Sequence, residues 1–105
     1  MVTRLEMVIK SVLKEELHNS RQLKKQYESR LKKLPKGSLV KKKIKNHEYY
    51  YLILREKGKV RFIYKGKKVS SGDMKKYSEA KTLRAKYRKL LSQVNKQIRF
   101  LEKSL

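Results

Sequence analysis

The sequence predicts an α+β fold: two long antiparallel helices forming a helical hairpin, with a three-stranded antiparallel β-meander inserted between them. Three observations carry this expectation. Apolar residues recur mostly at steps of three and four over residues 3–34, such spacing returns over residues 71–105, and between them the period drops to two. A chain of 105 residues is one domain on length alone.

The first helix is expected over residues 3–34. Leu5, Ile9, Leu13, Leu17, Leu23, Tyr27, Leu31 and Leu34 fall on one stripe. Glu6/Lys10 and Glu28/Lys32 are i,i+4 pairs in the favourable order. Pro35 stops the helix, and Gly37 follows as a turn residue.

The meander is expected over residues 36–68. "SLVKKKIK", "EYYYLILRE" and "KVRFIYK" are β-branched or aromatic and roughly alternate. Lys57-Gly58 suits a two-residue hairpin turn, with glycine supplying the positive φ. Asn46-His47 is the corresponding candidate for the first hairpin, although the type I′ turn prefers glycine second.

The second helix is expected over residues 71–105, with Tyr77, Ala80, Leu83, Tyr87, Leu90, Val94, Ile98, Leu101 and Leu105 on its stripe. Ser70 or Ser71 is the N-cap, and Asp73 meets the positive end of the helix dipole. Each helix is roughly 45 Å long at ~1.5 Å per residue. Two stripes of similar length are expected to face each other with coiled-coil packing.

Strand alternation sorts the meander into two faces. With both turns as placed, Ile44 opposes Tyr49, Val40 opposes Ile53, Ile53 opposes Phe62 and Tyr51 opposes Tyr64. One face then collects Val40, Ile44, Tyr49, Tyr51, Ile53, Val60, Phe62 and Tyr64, with Lys42 and Arg55 snorkelling at its rim. This face is expected to be core, covered by the helical pair. The other carries Lys41, Lys43, Lys45, Tyr50, Lys59, Arg61 and Lys65 around Leu52, Leu54 and Ile63. It is expected to be an open cationic surface, serving either phosphate contact or a dimer interface rimmed by lysines.

Charge selects among partners. The chain holds 31 Lys+Arg against 9 Asp+Glu, a formal net charge of +22. Self-repulsion on that scale disfavours a compact state, and a polyanionic partner is the simplest relief. Residues 36–70 hold 12 cations and 2 acids. Lysines outnumber arginines 23 to 8, which favours phosphate neutralisation over bidentate base reading. The candidate contacts are Lys41, Lys43, Lys45, Tyr50, Arg55, Lys59, Arg61, Lys65, Lys67 and Lys68. On the helices, Lys24, Lys25, Lys32, Lys33, Lys81, Arg84, Arg88 and Arg99 lie off the apolar stripes and extend the positive surface.

Catalysis finds little footing. There are two histidines, His18 and His47, and one aspartate, Asp73. Glu15-x-x-His18 has the spacing of carboxylate-bridged metal sites in bundles, but the second such motif is missing. Clustered acids for Mg²⁺ and a glycine-rich nucleotide cradle are also missing. A non-enzyme without cofactor or metal is expected. With no cysteine and no long apolar run, the chain reads as a soluble cytoplasmic protein without a membrane partner.

The run "LPKGSLVKKKIKNHEYYYLILREKGKVRFIYKGK", Leu34 to Lys67, resembles a small uncharacterised prokaryotic domain family that places a PKGSL…YYYL…R…GKV…Y.GK hairpin between two long helices. Its hairpin also resembles the short β-modules at the front of some transposases and phage integrases, where a three-stranded sheet binds DNA. That resemblance implies Arg55, Lys59, Arg61 and Lys65 as contact positions. The leading expectation is a basic protein of a phage or mobile element that grips the backbone of DNA or RNA with little sequence preference. An accessory protein or inhibitor seated on a nucleoprotein effector is a second class. A coiled-coil scaffold that homodimerises is a third.

Overall fold

A computed structural model describes residues 2–105. Helix α1 spans Arg4–Lys33, strands β1, β2 and β3 span Ser38–Ile44, His47–Glu56 and Lys59–Gly66, and helix α2 spans Ser71–Ser104. The strands form one antiparallel sheet in the order β1-β2-β3. The α+β architecture of two long helices with an inserted meander is as the sequence predicts, and each helix boundary falls within one residue of expectation. The chain divides into two compact units, Met1–Lys33 with Lys86–Leu105, and Leu34–Ala85.

The first unit is a helical pair. The Thr3 hydroxyl accepts a hydrogen bond from the Glu6 amide at 3.2 Å and so caps α1. Leu17, Val94, Ile98 and Leu101 form the buried core, with Leu13, Tyr27 and Leu91 packed against it. Arg21 donates to Glu102 at 3.2 Å, while further along α1 the Tyr27 ring lies 6.0 Å from that of Tyr87. Later residues of α1 thus meet earlier residues of α2, which defines an antiparallel pair. Ser20 is buried at the seam, where its small side chain lets the helices approach. The first turns of α1 depart from expectation. Leu5 and Ile9 are exposed rather than packed, as are Val8 and Val12 beside them.

The second unit is the sheet with the Ser71–Ala85 half of α2. The Ser70 hydroxyl accepts from the Asp73 amide at 3.1 Å, confirming the N-cap. The second hairpin turns at Lys57-Gly58 with φ of 50° and 76°, and Arg55 opposes Val60, Ile53 opposes Phe62 and Tyr51 opposes Tyr64 as expected. The first hairpin turns one residue earlier than expected, at Lys45-Asn46, with φ of 49° and 65°. A type I′ turn needs positive φ at both central residues, and asparagine tolerates that conformation better than histidine. Ile44 therefore opposes His47, Val40 opposes Tyr51 and Leu39 opposes Leu52. This two-residue change of partner preserves parity, so the two face sets stand as derived.

Which set is covered is the reverse of the expectation. Leu39, Leu52 and Ile63 form one row across all three strands, and Leu54 continues it along β2. Leu52 is only 5% exposed, Leu39, Leu54 and Ile63 are half-buried, and Leu39 lines a small cavity with Asp73 and Tyr77 of α2. On the opposite face Phe62 and Tyr64 are each 55% exposed, and Val60 and Ile44 are exposed too. The physical reason is the width of what does the covering. The half-helix offers a narrow stripe around Tyr77, Ala80 and Leu83, which matches one compact aliphatic row. Eight residues spread over three strands are too broad a set for it, and three of them are tyrosines, whose hydroxyls keep a polar end in water. The Pro35–Gly37 turn closes the covered side. Arg84 Nη2 donates to the Pro35 carbonyl at 2.8 Å, and a Cβ at Gly37 would lie 2.8 Å from Leu54 Cδ2 and 2.9 Å from Leu52 Cδ1.

Candidate nucleic-acid interface

The open sheet face is built by cross-strand pairing. Val40, Tyr51 and Tyr64 form one row across the sheet and Ser38, Ile53 and Phe62 the next. On this surface the Tyr64 ring lies 5.6 Å from Tyr51 and 6.1 Å from Tyr49, and Tyr49 lies 6.4 Å from His47. All of these pairs are tilted, at interplanar angles of 53° to 58°, and Tyr64 leaves 55% of its surface in water while Tyr49 and Tyr51 are half-buried.

Cations rim and cross the same face. Lys42 Nζ stands 4.5 Å from the Phe62 ring centre and 5.5 Å from Tyr51, and Lys67 Nζ is 5.9 Å from Tyr49. An ammonium over a ring is held by the negative π-face while its remaining protons stay in water. Arg55 belongs to the same parity at the far end of β2. Lys67 reaches this side because of a register shift: Tyr50 pairs with Gly66 while Tyr51 pairs with Tyr64, leaving Lys65 as an extra residue in β3. Simple alternation assigns Lys67 to the opposite face. The glycine at position 66, with φ of 112°, is the sequence signal that could have located the bulge.

The remaining sequence-predicted positions are dispersed. Lys41, Lys43, Tyr50, Lys59 and Arg61 share the parity of the covered face, where the cations project beyond the aliphatic row and stay exposed while Tyr50 is half-buried. They do not surround an open aliphatic floor, because that floor is the helix-covered row. Lys45 lies in the first turn, and Lys68 follows β3 near the start of α2, where Lys65 and Lys68 line the cavity shared with Asp73. Two of the candidates have carboxylate partners. Lys41 Nζ donates to Glu48 at 2.7 Å, and Arg61 lies 3.8 Å from Glu56. The Glu48 hydrogen bond and charge, with a smaller contribution from Tyr50, raise the Lys41 pKa above the ordinary lysine value. That ammonium therefore stays charged throughout the neutral range.

Arg84 serves the fold through its bond to Pro35, and the rings that share the open face, Tyr49, Tyr51, Phe62 and Tyr64, are ones the sequence assigned to the core. Among the described residues no cluster of three or more His, Asp or Glu is placed to hold a metal ion. Among the described residues, likewise, no helix is long and apolar enough to cross a membrane. In comparison with known proteins, no family model, curated relative or solved structure matches the chain.

Proposed function

We propose that this chain is a non-catalytic nucleic-acid-binding protein that holds the phosphate backbone through the cations of its sheet module. One observation carries the reading. Residues 36–70 hold 12 cations and 2 acids, those cations are exposed, and among the described residues only Lys41 and Arg61 have a carboxylate within ion-pair distance. Unpaired lysines at this density repel one another, and phosphates remove that repulsion while releasing condensed counterions.

The test is the salt dependence of binding to a random-sequence duplex and to single strands. Log K falls linearly with log salt, with a slope of about 0.9 per duplex phosphate contact. Replacing Lys43, Lys59, Lys65 and Lys67 together with glutamine lowers that slope and leaves the thermal melt in place. Absence of binding at low salt rejects the reading and favours an acidic protein surface as the partner.

Self-association is a second reading, favoured by α1. Leu5, Val8, Ile9 and Val12 continue the apolar side of the helix past the packed Leu13 and Leu17, at i, i+3, i+4 and i+7 spacing. Residues 2–20 hold three cations and three acids, so this stretch carries no net charge in a chain of +22. Two copies meeting here avoid the repulsion that opposes contact elsewhere. Sedimentation of the wild type against Ile9→Glu decides it: a monomer in both rejects self-association.

A further inference from the structure

We infer that the open sheet face is a stacking platform for about two or three unpaired bases, which makes single-stranded DNA or RNA the preferred ligand of this protein. The inference rests on the phosphate-binding reading and adds the state of the strand that is bound.

Three observations converge on it. The Tyr64 ring lies 6.1 Å from Tyr49 and 5.6 Å from Tyr51, a continuous patch that Phe62 extends across Lys42. Phe62 and Tyr64 leave more than half of their surface in water although they occupy central rows of the sheet. Exposed rings on a half-buried sheet are costly in a chain with so small a core, unless a flat partner covers them. Cations stand at the rings themselves: Lys42 over Phe62 and Tyr51, Lys67 over Tyr49. A protein partner with an apolar patch gains nothing from those ammonium groups and must desolvate them. A single strand satisfies both features together, since its bases present π-faces to the rings while its phosphates meet Lys42 and Lys67. A duplex cannot use the rings, because its bases are already stacked and paired. It is left with the phosphate contacts alone.

The test compares oligothymidylate and oligouridylate strands with a random duplex of equal length, using wild type, Phe62→Ala, Tyr64→Ala and Tyr64→Leu. The expected result is a loss of about tenfold or more in single-strand affinity for each ring removed, with duplex affinity changed less than about twofold. Tyr64→Leu keeps an apolar side chain of useful size and guards against a folding defect, and it is expected to lose single-strand affinity as Tyr64→Ala does. The chain has seven tyrosines and no tryptophan, so tyrosine emission reports directly on stacking. Single strands are expected to quench it and the duplex to leave it largely unchanged. Equal single-strand affinity in all four proteins, with salt-dependent binding retained, overturns the platform while leaving phosphate binding in place. Full retention by Tyr64→Leu with loss in Tyr64→Ala likewise overturns stacking in favour of simple apolar contact. No binding of either nucleic acid by the wild type removes both readings.

Discussion

At the scale of single residues, the two faces of the sheet make opposite demands on their side chains. Leu52 sits almost wholly out of water on the central strand, so Leu52→Ala removes buried methyl groups and leaves a cavity. The expected cost is about 2–4 kcal/mol. Phe62→Ala removes a larger side chain, yet one that is 55% exposed, and its expected cost is under about 1.5 kcal/mol. Denaturant midpoints of the two variants decide which side α2 covers, and the reverse order refutes it. Gly37 is constrained twice over, by φ of 98° and by leucine side chains where a Cβ would stand. Gly37→Ala is therefore expected to cost about 2 kcal/mol or more. Lys57 holds φ of 50° without glycine's freedom, so Lys57→Asn, which completes an Asn-Gly turn, is expected to stabilise by about 0.5 kcal/mol.

At the scale of elements, the helices and the strand parity were legible in the sequence because each rests on a local period. Steps of three and four located α1 and α2, and Ser70 with Asp73 marked where α2 starts. Ser70→Ala is expected to cost about 1 kcal/mol, lowering the melting temperature by about 4–8 °C, which calorimetry would detect. The choice of covered face was not legible in the same way. Counting apolar residues favours the set with Tyr51, Phe62 and Tyr64, but covering depends on the partner's width, a property of tertiary packing. Leu39 held the missing clue, since it completes an aliphatic row with Leu52 and Ile63 across three strands. The bulge at Lys65 hid Lys67 in a similar way, because one extra residue reverses every side beyond it. The cations of the candidate site could be read from composition, whereas the ring platform between them required knowing which side was open.

At the scale of the whole molecule, a net charge of +22 makes folding itself sensitive to the surrounding ions. Like charges are brought closer in the folded chain than in the expanded one, so their repulsion works against the native state. Screening shortens its reach to about 10 Å at 0.1 M salt. Raising salt from low values is therefore expected to raise the melting temperature, the opposite of what a fold held by surface ion pairs would show. The few ion pairs present, such as Arg21–Glu102 and Lys75–Glu79, are exposed and contribute little in return. A polyanion adds a second effect, because a ligand bound only by the native state stabilises it by mass action, about 2.7 kcal/mol at a hundred times its dissociation constant. Oligothymidylate, duplex DNA and inorganic polyphosphate at matched phosphate concentration separate these contributions. Polyphosphate supplies charge without bases, so the platform predicts a larger rise with oligothymidylate than with polyphosphate, and a difference that disappears in Tyr64→Ala. Equal rises with all three anions would mean that phosphate alone is recognised and that the rings serve some other contact.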